Sequence, residues 1–216
     1  MKHTIILFSL IFALNILFAA DMVANIDLDN KEINTKETAF GNFVADAMKK
    51  QTGSDLAVIA AQSFNQNSSI KAGDFTENDL KGMLSTPNST IVTLKLSATE
   101  IFEMFERSVS IVPQGSSAFL QISGATITFN SKNTNNNKIT KVTIGGQEVD
   151  KNGDNTYTVA MPLELGRGGN GYVRVFSADS IANMKVANST IMTAVLGYIN
   201  SLTSLNFSTN NRITSL

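Results

Sequence analysis

The spacing of apolar residues changes several times along the chain, and each change marks an element. Phe40, Phe43, Val44, Ala47 and Met48 recur at i, i+3, i+4, i+7 and i+8, the spacing of one helical face. Thr38 stands where an N-cap belongs, and Gly53 supplies a stop. Leu56 to Ala61 then run apolar without a break, which predicts a strand covered on both faces. Asn25 to Asp29 predict a short opening strand. The polar stretch from Gln62 to Asp74, rich in Asn and Ser, predicts a long loop of the kind that lines binding sites. Thr76 with Asp79 opens a short helix through Met83.

Ile91, Thr93 and Lys95 alternate with Val92, Leu94 and Leu96, so a half-buried strand is expected. Ser97 and Glu100 form a capping box directly after it, and Ile101, Phe102, Phe105 and Val109 make the apolar stripe of the next helix. From Phe119 to Val159 the pattern is strand-rich. Ala125, Ile127 and Phe129 alternate with Thr126 and Thr128, and Val142 and Ile144 lead into the Gly145-Gly146 pair of a tight hairpin. Asn133 to Asn137 form a polar tip. Val173, Val175 and Phe176 predict another strand, and Ile191, Val195, Ile199 and Leu202 a closing amphipathic helix. Helices are interspersed but hairpins dominate the middle, so the fold class is α+β: a single domain of mixed sheet with hairpins and packed helices.

The first residues read differently. Lys2 and His3 precede an apolar run from Thr4 to Phe18, broken only by Ser9 and Asn15 and followed by Ala19 and Ala20. This is the pattern of a secretory signal peptide over residues 1–20, with cleavage after Ala19 or Ala24 as alternatives. The run falls short of the ~20 apolar residues of a spanning helix, so no stable membrane anchor is expected. Export places the mature chain, residues 21–216, in the periplasm or outside the cell. Its net charge falls to about −2, which offers nothing to nucleic acid. There is no Cys, and the single His is His3 in the leader. Zinc sites of the usual kinds, imidazole bases and thiol nucleophiles are thereby excluded from the mature chain.

Five blocks in order carry a family resemblance: ETAFGNFVADAM from Glu37, SDLAVI from Ser54, IVTLKLSATEIFEMFE from Ile91, PQGSSAFLQISGATITFN from Pro113, and YTVA at Tyr157 leading to GGNGY at Gly168. Together with the closing helix and NNRI they resemble the C-terminal domain of the 5'-nucleotidase family, over a core of about 36–213. The resemblance implies an α+β fold and a place near nucleotide catabolism. In that family a separate N-terminal metallophosphoesterase domain holds two divalent metals and performs hydrolysis, while the C-terminal domain supplies the nucleotide pocket. No cofactor is therefore expected in this chain, and catalysis by the isolated chain is not expected. Metals would belong to a missing domain or partner.

The pocket positions that the resemblance implies are altered. Where the family shows an NGGGIR-like turn, this chain reads Ala60, Ala61, Gln62, Ser63, Phe64, Asn65, so Asn65 stands for the substrate-binding arginine. In place of a PFGN-like loop it offers Ser85, Thr86, Pro87, Asn88, which keeps Asn88 but not the stacking ring. MPLELGR lacks the second ring, and Asn170 replaces the ribose-binding Asp of GGDGY. Losing each ring removes about 1 to 3 kcal/mol of base stacking. Phe64 and Arg167 are the residues that could compensate, one with a ring and the other with a cation.

Other motifs carry less chemistry. GRGGNGY lacks the GxxxxGK[ST] pattern and reads as a turn running towards a strand; DKNGD from Asp150 lacks the EF-hand spacing and also reads as a turn. Asp46 lies off the apolar stripe, as a solvated or capping residue. The sequons at Asn67, Asn88, Asn188 and Asn206 carry no assigned modification. Three functions follow: a binding module for a small polar or nucleotide-like ligand, the binding half of a split enzyme whose metallophosphoesterase subunit is separately encoded and acts on nucleotides or sulfur-bound substrates, or a degenerate domain kept for protein contact.

Overall fold

The computed structural model describes residues 22–216, so the expected signal peptide lies outside the described residues. Helix α1 spans Ala39–Thr52, and Thr38 caps it by accepting from the Gly41 amide. Gly53 closes it in the left-handed region, at φ 65°, and donates to the Lys49 carbonyl. Phe40, Phe43, Val44, Ala47 and Met48 are all buried, which contributes about 1.5 to 3 kcal/mol for each large apolar side chain. A Cβ on Gly41 would come within 2.5 Å of the buried Gln121, whose amide oxygen accepts from Thr38 N and whose nitrogen donates to the Ile33 and Lys36 carbonyls. Gln121 thus fixes the chain's approach to α1.

Five strands form the central sheet: β3 (Leu56–Ala60), β6 (Thr90–Ser97), β7 (Leu120–Ser123), β11 (Thr156–Pro162) and β12 (Lys185–Thr190), in the order β12-β6-β11-β3-β7. β3 is fully buried as its apolar run requires, parallel to β11 and antiparallel to β7. β6 pairs antiparallel with β11 and carries the expected alternation, with Leu94 and Leu96 buried and Lys95 exposed. It runs directly into α3 (Ala98–Val109) through the Ser97–Glu100 capping box. A second sheet has the order β10-β9-β8-β13, built from β8 (Ala125–Phe129), β9 (Ile139–Ile144), β10 (Gln147–Glu148) and β13 (Ile213–Ser215). Gly145 and Gly146, at φ 58° and 82°, make its tight hairpin turn. The fold is α+β with two mixed sheets and packed helices. Helix α1 packs on β3, β7, β11 and the closing helix α6 (Ile191–Ser201); α3 packs on β6 and β9.

Four expectations need correction. Residues 62–74 are not one open loop: β4 (Ser69–Ile70) pairs with β2 (Leu28–Asp29), and β5 (Gly73–Asp74) pairs with β1 (Val23–Ala24), so this segment holds residues 23–29 in place. Accordingly only Leu28–Asp29 of the expected opening strand is extended. Val173 to Phe176 are not a strand, because Gly169–Arg174 form a 3-10 turn with Gly168, Asn170 and Gly171 all left-handed, and β6 already has β12 and β11 on its two sides. Asp46 is not merely solvated: it takes a two-point ion pair from Arg212, at 2.8 and 2.9 Å, and a hydrogen bond from Ser123 Oγ. Arg212 also donates to the Ile122 carbonyl at 2.8 Å, which ties the start of β13 to α1 and β7.

Candidate functional site

The strand directions place four connections at one end of the central sheet. Since β3 and β11 are parallel, and β6 and β7 run against them, the ends of the first two meet the beginnings of the other two. The segments after β3, before β6, before β7 and after β11 therefore converge. Short bonds join them. The Ser117 carbonyl accepts from Gln62 N at 3.0 Å and from Asn170 Nδ2 at 3.2 Å. Asn65 N donates to the Met83 carbonyl, Ser85 N to that of Ser63, and Ser89 Oγ to Glu164 Oε2 at 2.5 Å. Glu164 belongs to α4 (Leu163–Gly166), the short helix after β11.

Within this cluster Asn65, Asn88 and Arg167 are exposed and Asn170 is half-buried. Asn65 Nδ2 donates to the Gly82 carbonyl at 3.3 Å, so it pins the loop after β3 to the end of α2 (Glu77–Met83). Among the described residues the Arg167 guanidinium enters no ion pair or hydrogen bond. Phe64 does not join them: it is 2% exposed and meets Phe40 edge-on, with ring centroids 6.0 Å apart. It is a core residue here and offers no ring for stacking.

Asn170 is the most constrained member. Its φ of 57° is one that asparagine tolerates better than most residues. Its carbonyl accepts from Arg107 Nε at 3.0 Å and Nη2 at 2.5 Å. Arg107 itself lies 5.9 Å from the centroid of Tyr172, whose hydroxyl donates to the Ala118 carbonyl at 2.8 Å. Burial pushes the Tyr172 phenol well above its ordinary range, with Arg107 acting in the opposite sense, so the hydroxyl stays a donor. The loop is held on both sides. Because the Asn170 amide nitrogen is committed to Ser117, its oxygen is the atom left to accept from a ligand hydroxyl, the task that a carboxylate would perform.

Glu164, Ser89, Ser117 and Arg107 also belong to this cluster, though no sequence motif marks them. The Ser89–Glu164 bond spans 75 positions and the Arg107–Asn170 bond 63, and no local pattern signals either. Among the described residues no group of three or more His, Cys, Asp or Glu stands where it could hold a metal ion.

Comparison with known proteins agrees with this frame. The family model described as 5'-nucleotidase, C-terminal domain, matches residues 16–178. The chain belongs to the 5'-nucleotidase C-terminal domain family. It is 32% identical over 154 residues to the trifunctional nucleotide phosphoesterase protein YfkN of Bacillus subtilis, covering 68% of this chain and 10% of that protein. The 5'-nucleotidase precursor from Thermus thermophilus shares the fold with a TM-score of 0.80 at 21% identity, over 93% of this chain and 40% of that one. The NAD nucleotidase of Haemophilus influenzae follows with a TM-score of 0.74 at 16% identity, over 91% and 38%. The chain thus spans well under half the length of these family relatives.

Proposed function

We propose that this chain is an exported binding module that holds a small polar or nucleotide-like ligand in the loop cluster at the end of the central sheet, and that it does not hydrolyse that ligand alone. The observation that carries the reading is the arrangement of Asn170: its backbone is clamped by Arg107, its amide nitrogen is spent on Ser117, and its oxygen is left over as an acceptor. Asn65, Asn88 and Arg167 surround the cluster with exposed amides and one cation. Such a lining, with three amides to one cation, suits hydroxyl and amide groups better than a dense phosphate charge.

Family membership supports the nucleotide-related neighbourhood. The activities named for the relatives belong to longer proteins, so in this reading hydrolysis rests with a metallophosphoesterase unit outside the described residues, either separately encoded or joined to this one. Export rests on the apolar run at Thr4 to Phe18; among the described residues no helix is long and apolar enough to cross a membrane. A thermal-shift panel of nucleosides, nucleotides and sugars on the mature chain tests the reading. A saturable upward shift with at least one nucleoside or nucleotide, lost in Asn170→Ala, is expected; a flat response at millimolar ligand would overturn it.

A further inference from the structure

A groove of about 880 Å³ runs along the last turns of α3 beside the 3-10 turn, and Asn65, Asn88, Glu164, Arg167 and Asn170 contribute nothing to its lining. Three cations do: Arg107, Lys151 and Arg174. Among the described residues none of them lies within ion-pair distance of a carboxylate. The groove's two acids, Glu103 and Glu106, offset them only in part. Glu106 is buried, with both oxygens taken by the Lys138 and Ile139 amides, and Lys138 holds its ammonium beside the same helix end on the Val109 and Ser110 carbonyls. Only Glu103 is an exposed acid on this wall.

Arg107 is the unusual member. It is half-buried and fixed solely by neutral acceptors, the Asn170 carbonyl and Ser110 Oγ. Those contacts use three of its five N–H donors and leave two. A guanidinium held rigid without a counter-ion, beside exposed Arg174 and Lys151, is a preorganised anion receptor. Val173, 61% exposed, and the half-buried Val175 give the same groove an apolar wall. Its size lies within the range of small-molecule sites.

We infer that this groove is a second ligand site, for a small organic phosphate monoester whose oxyanion sits between Arg107 and Arg174 and whose apolar body lies on Val173 and Val175. Its occupant touches the neighbouring loop directly. A phosphate oxygen that takes the two free donors of Arg107 binds the same guanidinium that holds the Asn170 carbonyl, so the Gly169–Gly171 amides shift when the groove fills.

Titration of the ¹⁵N-labelled mature chain with phenyl phosphate, watched by amide NMR, is the test. Saturable shifts are expected at Ser110, Lys151, Val173 and Arg174, with smaller ones at Gly169–Gly171. Phenol should produce none of them, and inorganic phosphate should bind the same residues more weakly for want of the apolar contact. The double substitution of Arg174→Gln with Lys151→Gln, both on exposed side chains, should weaken phenyl phosphate about tenfold or more. Shifts confined to Asn65, Asn88 and Arg167 would overturn the groove while supporting the loop cluster, and so would unchanged affinity in the double variant. No saturation at millimolar phenyl phosphate would overturn the groove and leave the nucleoside panel to judge the loop cluster separately.

Discussion

Replacing Arg212 with Met keeps most of the side-chain stem and removes the guanidinium that holds the start of β13. Arg212 and Asp46 have side chains 14% and 27% exposed, so their pair lies between two known limits. Exposed pairs contribute about 0 to 1 kcal/mol, whereas breaking a fully buried pair from one side costs about 3 to 5 kcal/mol. The two-point geometry and the extra bond to the Ile122 carbonyl favour the upper half of that interval, which gives a loss of about 2 to 3 kcal/mol. For a domain of this size the loss lowers Tm by roughly 4 to 12 °C. Urea unfolding measures it as a lower midpoint with an unchanged slope. Hydrogen exchange adds position, since amide protection should fall first at Ile213 and the following residues of β13. A cycle with Asp46→Leu should return a coupling of about 1 to 3 kcal/mol. A single-variant loss below about 0.5 kcal/mol, the range of an ordinary surface change, would refute the claim that this pair anchors the C-terminal strand.

Phe40→Ala should cost about 3 to 5 kcal/mol by urea unfolding, because the ring, in the first turn of α1, is fully buried and meets Phe64 edge-on. Asn170→Asp should leave the global midpoint within about 1 kcal/mol yet speed amide exchange in Gly168–Gly171, since a carboxylate cannot donate to the Ser117 carbonyl. Glu100 titrates below its ordinary range: burial would raise it, but hydrogen bonds from Ser177, Ser97 and Ser180 outweigh that. Its stabilising contribution is therefore complete above the unfolded value near 4.5 and is lost as pH falls through the lower folded value. Glu100→Gln should accordingly narrow the gap between urea midpoints measured at pH 6 and at pH 3. Tyr172→Phe should cost about 0.5 to 1.5 kcal/mol, the net worth of its bond to Ala118, with the thermal midpoint as readout.

Where local chemistry decides, the chain could be read from its residues. Helix α1, the capping box of α3 and the glycine hairpin follow from spacing, caps and backbone freedom that lie within a few positions of one another. Two differences from the expected pattern have clear physical causes. β12 has few apolar residues because it is an edge strand, and Val186 remains 62% exposed even when paired. Val173 to Phe176 resemble a strand in composition, but three left-handed residues just before or within the turn deflect the chain from the sheet, and Tyr172 instead buries its ring under Arg107. The candidate site divides in the same way. Asn65, Asn88, Arg167 and Asn170 fall on converging loops, whereas Phe64 is drawn into the core by Phe40. Asp46 offered no clue to its partner, which lies 166 positions away. The Arg107 clamp and the Glu164–Ser89 bond exist only once the sheet brings distant loops together.

Measuring binding and cleavage on the same samples is the most direct test of the proposed function. Calorimetry on the mature chain with adenosine and AMP, followed by assay of the same samples for free phosphate with and without divalent metal, should give saturable heat for at least one ligand, heat that falls away in Asn88→Ala or Asn170→Ala, and no phosphate release. Metal-dependent release of phosphate from AMP by the pure chain, or no heat from either ligand at millimolar concentration, would contradict it.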